Sequence, residues 1–380
     1  MTESGKHKQF MDVAIECARE GEGSVCTNPL VGACLVSGDE IIARGSHRWY
    51  GDDHAEIDVL SSAESIPEDA VLYTTLEPCI FPGKTGDCVS EIIRSPVQQV
   101  VVADEDPDSG VSGRGIEALR AAGIEVIVGI GTNDYRRVNR AYHYQRTTGN
   151  PWIDLKLAMS GDGKIAVNNG NSQWITGEKS REHGHKLRSL ADGVMIGANT
   201  LRNDNPRLTD RVTGSDHQPK ALVITRFANN LPRESHLLTE RANSTILVTR
   251  PGMNTAWRRE LESRGVEILV TDTAHGWVIW RQVFPRLTQK GIGRILVEGG
   301  GVLAGNLIES NYVCETHFYY SGRLIGNGIP GIHMNQVYDR VEETPRAHLV
   351  DSRAFEEDVY VRRFTDSAVR EAGLSSPFRQ

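Results

Sequence analysis

A chain of 380 residues with a formal net charge of −8 is longer than one average domain and carries no basic block, which disfavours a nucleic-acid partner. A local basic pocket for a single phosphate is still allowed. Six cysteines are too few for a disulfide framework at this length, so a reducing cytoplasm is expected, where paired cysteines more often mean metal or catalysis. No apolar run is long enough to span a bilayer, and Met1–Gln9 lacks the apolar core of a secretory signal.

Phe10, Val13, Ala14, Cys17 and Ala18 share one helical face and predict an opening amphipathic helix. Leu30–Val36 and Glu40–Ser46 read as strands around the turn Ser37-Gly38-Asp39. A helix is expected from His54 towards Ser61, then a strand over Val71–Leu76, with Pro78 suited to the first turn of a following helix. Strands at Val100–Ala103 and Glu125–Val128 flank a helix at Ile116–Ala122. These alternating elements predict an α/β domain over residues 1–147. The polar stretch Arg140–Pro151, with Gly149-Asn150-Pro151, marks a boundary.

A second α/β series is expected over residues 148–366. Strands are predicted at Trp152–Ala158, Gly193–Gly197, Lys220–Thr225, Thr245–Thr249, Glu267–Val270 and Arg294–Val297. Helices are predicted at Glu178–Ala191, Trp257–Arg264 and Trp277–Leu287. Cys314–Tyr320 and Asp358–Phe364 read as a closing strand pair, and residues 367–380 as a loose tail.

The chemistry concentrates in His54-Ala55-Glu56, Pro78-Cys79 and Cys88. One imidazole and two potential thiolates make a zinc set with its fourth position open, as a catalytic ion requires; a closed structural site would need a fourth ligand, and none sits at finger spacing. Glu56 is placed to move protons rather than to bind metal, the arrangement of zinc nucleobase deaminases. Eight residues separate the two cysteines here, instead of the two of the common C-x-x-C spacing.

Thr27-Asn28-Pro29-Leu30-Val31-Gly32, Gly45-x-His47, His54-Ala55-Glu56, Thr75-Leu76-Glu77-Pro78-Cys79 and Gly83-Lys84-Thr85 before Cys88 run in the order of the riboflavin-biosynthesis deaminases, which this half resembles. That resemblance implies one zinc ion on His54, Cys79 and Cys88, with Glu56 catalytic. It also implies substrate contacts from Asn28, His47 and Lys84, the last near a phosphate. In place of the family's Cys-Ser-His the chain has Cys79-Ile80-Phe81-Pro82. Phe81 cannot supply ring-nitrogen hydrogen bonds, although it can stack on a flat heterocycle. The alternative this leaves open is a paralogue acting on a related pyrimidine or pterin.

The second half resembles the reductase that accompanies this deaminase. It does so through Lys156-x-Ala158, Ser160-x-Asp162-Gly163-Lys164, Ser172-x-Trp174-Ile175-Thr176, Leu187-Arg188, Gly197-x-x-Thr200, Asp204-Asn205-Pro206-x-Leu208-Thr209-x-Arg211 and Glu298-Gly299-Gly300. The implied architecture is a cytidine-deaminase-like three-layer α/β domain followed by a dihydrofolate-reductase-like domain. NADPH is the implied cofactor, bound by Lys156, Ala158, Trp174, Gly197, Thr200, Gly299 and Gly300. Glu298-Gly299-Gly300-Gly301 ends a strand and opens a helix, where glycines and free N–H groups let a pyrophosphate approach. Arg188 and Arg211 are candidates for substrate phosphate, and Asp204 and Glu298 for its sugar hydroxyls or for proton transfer. The expected partners are a small phosphorylated aminopyrimidine and further copies of the chain, as a dimer or tetramer, without nucleic acid or membrane.

Overall fold

The computed structural model describes residues 3–81, 86–212, 218–274 and 277–374. The chain forms two compact units, Met1–Thr148 with Glu371–Leu374, and Gly149–Arg370.

The first unit contains α1 (Glu3–Ala18), β1 (Gly32–Ser37), β2 (Glu40–Ser46), α2 (Ala55–Ser62), β3 (Val71–Thr74), α3 (Cys88–Arg94), β4 (Gln99–Val102), α4 (Arg114–Ala121), β5 (Glu125–Val128), α5 (Thr132–Val138) and α6 (Arg140–Thr148). Its sheet runs β2-β1-β3-β4-β5, antiparallel at β1 and parallel from β3 to β5. Two glycines explain the layering. A Cβ on Gly32 would strike the α1 backbone at Ala14, and one on Gly45 would strike the α2 backbone at Ala55. Gly45 pairs with Ala33, the neighbour of Gly32, so the two glycines point to opposite faces. Helices α1 and α2 therefore sandwich the sheet, as expected for three layers. β1 is buried along nearly its whole length, consistent with a strand covered on both faces.

Several local expectations need correction. No helix starts at Pro78: residues 75–81 are irregular, and the next helix, α3, is capped by Asp87, which accepts from the Ser90 N–H at 2.7 Å. The polar stretch from Arg140 is helical to Thr148 and buries Tyr142, His143, Tyr144 and Gln145. Its polar side chains are buried against partners rather than solvated: the Tyr142 hydroxyl donates to Asp106 at 2.9 Å.

The second unit contains β6 (Trp152–Ser160), β7 (Lys164–Val167), α7 (Glu178–Ser189), β8 (Gly193–Gly197), α8 (Ala198–Asp204), β9 (Lys220–Ile224), β10 (Thr245–Thr249), α9 (Thr255–Ser263) and β11 (Glu267–Val270). It continues with β12 (Thr273–Ala274), β13 (Trp277–Val278), α10 (Trp280–Thr288), β14 (Arg294–Val297), α11 (Gly301–Glu309), β15 (Glu315–Ser321), β16 (Gly328–Pro330), β17 (Ala347–Phe355), β18 (Asp358–Thr365) and α12 (Asp366–Glu371). The main sheet is ordered β11-β10-β9-β8-β14-β6-β15-β18-β17, parallel as far as β15 and closed by antiparallel β18 and β17. The stretch expected to be loose from residue 367 starts with α12 and buries Ala368, Ala372 and Leu374, apolar contacts that hold it in place.

The two faces of this sheet differ. Ile153, Leu155, Leu157, Met159 and Phe318 enter one apolar core. The opposite face is apolar at β8–β10, through Val194, Ala221 and Leu247, but polar at β6, β15 and β18. There α7 covers it: His183 Nδ1 lies 2.6 Å from the Tyr319 hydroxyl, and Ser180 donates to Asp358 at 2.6 Å.

Candidate active sites

His54 is the residue before α2, with an extended backbone that presents its ring ahead of the helix. Glu56 follows in the first turn and is buried. Cys88 opens α3, and the carbonyl of Cys79 accepts from the Val89 N–H at 3.2 Å, which ties the loop after β3 to that helix. The outcome is convergence. His54 Nδ1 lies 3.2 Å from Cys88 Sγ and 3.4 Å from Cys79 Sγ, and the two sulfurs are 3.3 Å apart. A tetrahedral zinc with Zn–S of about 2.3 Å and Zn–N of about 2.0–2.1 Å has ligand edges of about 3.4–3.8 Å. These three atoms are close to that polyhedron, so the residues present fit zinc.

Their electrostatics agree. The hydrogen bond with Cys88, followed by that with His54, outweighs burial and brings Cys79 down to about 4. Cys88 is raised well above its ordinary value by that same neighbour and by burial. The hydrogen bond to Cys79 lifts His54 to about 8 against burial. One thiolate is therefore available near neutral pH, as a metal ligand must be. Burial raises Glu56, which favours a carboxyl able to take up a proton. Thr74 Oγ1 donates to Glu56 Oε1 at 3.1 Å, and Oε2 faces Cys88 Sγ at 3.5 Å.

Asn28 and His47 come together beside this set, with Nδ2 and Nε2 3.3 Å apart, and the His47 and His54 rings meet edge-on at 5.5 Å. Burial lowers His47 despite its contact with the Asp53 carbonyl, so it stands neutral. Lys84 lies outside the described residues. Phe81 is 51% exposed, with the Arg114 guanidinium 5.7 Å from its ring centre. Two residues went unread in the sequence. Thr74 orients Glu56, and Glu77 accepts the backbone N–H groups of Asp106, Gly113, Gly115 and Ile116 at 2.7–3.3 Å. Glu77 stands in a quoted motif, but its partners lie 29 to 39 residues away and only the parallel pairing of β3 and β4 brings them near.

In the second unit the expected residues gather at the C-terminal ends of the adjacent strands β8, β14 and β6, where open α/β sheets bind ligands. Val297 pairs with Leu155, which sets Glu298 beside Lys156. Arg188 grips Glu298 with two hydrogen bonds of 2.8 Å, and its third nitrogen donates to the Thr209 carbonyl at 3.2 Å. The fork expected to take phosphate is thus directed at a buried carboxylate that needs a counter-ion. Burial opposes ionisation of Glu298, but Arg188, Lys156 and His185 outweigh it and hold it at about 2. Burial lowers Lys156, with Glu298 acting the other way. His185, also unread, faces this group, and burial lowers it.

Gly300, the residue before α11, faces open space: a Cβ there would meet nothing within 4 Å, and the same holds for Gly197 at the end of β8. That bare surface fits a dinucleotide phosphate. Gly299 instead packs on Leu303 of α11. Ala158 pairs with Tyr319 on β15, and Thr200 lies in the first turn of α8. Trp174 is exposed beneath the Arg181 guanidinium at 4.4 Å. Two residues are not drawn into the Glu298 cluster. Asp204 ends α8, exposed but with its carboxyl raised by partial desolvation, and Arg211 is exposed with Thr209 Oγ1 3.2 Å away.

Asp154, Glu315 and His317 also bring potential metal ligands together. Arg294 already pairs with Asp154 at 2.6 Å, Arg362 pairs with Glu315, and the Tyr360 hydroxyl lies 2.8 Å from His317 Nδ1. This group is a closed ion network, with its charges spent on one another.

Comparison with known proteins covers both units. Residues 4–104 match the cytidine and deoxycytidylate deaminase zinc-binding region, and residues 151–361 match the RibD C-terminal domain. The riboflavin biosynthesis protein RibD of Bacillus amyloliquefaciens is 34% identical over 337 residues, 88% of this chain and 90% of its own. That of Aquifex aeolicus is 33% identical over 322 residues, 85% of this chain and 88% of its own. Form 1 of Acinetobacter baumannii RibD matches with a TM-score of 0.85 at 30% identity, over 96% of this chain and 99% of that one. The Thermotoga maritima diaminohydroxyphosphoribosylaminopyrimidine deaminase/5-amino-6-(5-phosphoribosylamino)uracil reductase matches with a TM-score of 0.83 at 29% identity, over 96% and 100%. A zinc-binding deaminase unit joined to a reductase unit, in the order and over the length of these relatives, means that the chain belongs to the RibD family of bifunctional deaminase–reductases of riboflavin biosynthesis.

Proposed function

We propose that the first unit hydrolyses the exocyclic amine of 2,5-diamino-6-ribosylamino-4(3H)-pyrimidinone 5′-phosphate, and that the second reduces the ribosyl group of the product to ribityl with NADPH. The observation that carries the deaminase half is the convergence of His54, Cys79 and Cys88 with Glu56 Oε2 turned towards them. Zinc held by those three residues supplies Lewis acidity that makes water a nucleophile near neutral pH. Glu56 takes the water proton at Oε2 while Thr74 holds Oε1, then gives it to the departing amine, so that water enters and ammonia leaves. Asn28 and neutral His47 hold the pyrimidine, Lys84 its phosphate, and the exposed ring of Phe81 offers a stacking face.

In the reductase half the nicotinamide supplies hydride. Lys156, Ala158, Trp174, Thr200 and the glycines Gly197, Gly299 and Gly300 bind the dinucleotide. Ionised Glu298, fixed by Arg188, accepts from sugar hydroxyls; Asp204 carries a proton during ring opening, and Arg211 binds the phosphate. None of the six cysteines is in a disulfide, which suits a reducing cytoplasm. Among the described residues no helix is long and apolar enough to cross a membrane. Association into a homo-oligomer belongs to the same reading, on the family resemblance.

Purified zinc-loaded protein given the diaminopyrimidine phosphate is expected to release one ammonia per substrate and to oxidise NADPH only after deamination. Ammonia release from other aminopyrimidines but not from this one would overturn the substrate assignment. Metal analysis of Cys79→Ala beside wild type is the companion test: equal zinc in both would remove the basis for the site.

A further inference from the structure

The second unit holds a cavity of about 530 Å³, and none of the residues assigned above lines it. Its floor is the large sheet at β15 and β18, and its walls are the C-terminal end of α11 and the segment between β16 and β17. Two polar side chains are set into that floor. Thr316 pairs with Arg363, and directly opposed residues of antiparallel strands project to the same side of a sheet. Thr316 also pairs with Leu155 of the apolar core, whereas the next residue, His317, pairs with Lys156 on the other side. The cavity therefore lies behind the sheet from Lys156.

Thr316 is 5% exposed, and its buried hydroxyl has no hydrogen-bond partner among the described residues. The half-buried Arg363 guanidinium has no ion pair or hydrogen bond among them either, and the same holds for Arg346 on the rim. The two acids that line the cavity are spent elsewhere: Glu342 lies 3.4 Å from Arg340, and Asp366 2.5 Å from His348. An unmet hydroxyl and a half-buried guanidinium without a counter-ion both carry a cost, and one anionic group answers both. Around them Phe318 and Tyr338 offer rings, and Met334 a thioether, in a volume within the usual range of about 300–1,000 Å³ for small-ligand pockets. We propose that this cavity binds a small organic anion with an aromatic body, its rings against Phe318 and Tyr338 and its anionic head on Arg363, Arg346 and the Thr316 hydroxyl. The site stands apart from both reactions and depends on neither.

The test titrates 8-anilinonaphthalene-1-sulfonate, an aromatic anion that fluoresces in apolar surroundings, and its uncharged twin N-phenyl-1-naphthylamine into the full chain. NADP+ is present to occupy the reductase site. Folded wild type is expected to take up one equivalent of the sulfonate saturably. Arg363→Met should weaken it at least about tenfold and Thr316→Val about 3- to 10-fold, with affinity for the neutral twin and the unfolding midpoint unchanged. Absence of saturable binding, or a sulfonate affinity indifferent to Arg363→Met, overturns the site. So does an equal loss of both probes, which would mean a collapsed cavity without recognition of charge. Binding that is lost as the chain self-associates with rising concentration would place a second copy over the cavity and overturn the small-molecule reading.

Discussion

In the deaminase unit a single carboxylate has its two oxygens assigned to different work. Thr74 fixes one oxygen of Glu56, and the other faces the ligand set. Glu56→Gln keeps the shape and the Thr74 contact but cannot carry a proton. Ammonia release is expected to fall by about 10²- to 10⁴-fold with zinc content unchanged, read by coupled ammonia assay and metal analysis. Glu77 acts at one remove. Its carboxylate gathers four backbone N–H groups two residues before Cys79. In Glu77→Gln one oxygen becomes a donor facing donors, and zinc affinity is expected to drop about 10- to 100-fold by chelator competition while the far-ultraviolet spectrum is retained. His54, Glu56, Cys79 and Cys88 were legible in the sequence because zinc and proton transfer admit few residue types, and their order is itself a signal. Thr74, Glu77 and His185 were not, since ordinary residues gain these roles only when distant segments pair.

At the scale of elements, strands and long helices followed from the pattern of apolar residues. The misses came where tertiary contacts override it. Helix α6 is too polar to announce itself, yet Tyr142 and His143 are buried against Asp106 and Asp104. The turn from β14 into α11 was read correctly from its glycines, and it gives a clean test. Gly300 has ordinary helix-entry angles and faces open space, so Gly300→Val should fold with stability within about 0.5 kcal/mol of wild type. The valine would occupy the space assigned to the dinucleotide. NADPH binding is expected to weaken at least about tenfold while ammonia release persists, and unchanged NADPH affinity would move the cofactor elsewhere.

Over the whole molecule, buried imidazoles set the acid limit. Burial lowers His143 in the first unit to about 4, and His183 in the second likewise. The unfolded imidazole binds its proton near pH 6.5 and the folded one only near 4, so the unfolded state holds more protons across that window. Stability therefore falls as pH falls through it, by up to about 3 kcal/mol for fully buried His143. Below about pH 4.5 a second loss begins as Glu298, held ionised down to about 2, becomes protonated on unfolding. Denaturant midpoints taken from pH 7 to 4 should show the first slope, and His143→Phe should flatten it for the first unit.

The contrast between the faces of the large sheet bears on how the chain finds its pairing. β15 must locate β6 across more than 150 residues and then match it, Glu315 against Asp154 and His317 against Lys156. A slip of one residue would turn Glu315 and His317 into the apolar core and put Thr316 and Phe318 among the ions. Charges that add little to stability thus make every neighbouring alignment costly, so the ion network works as a key that admits one alignment of a distant strand.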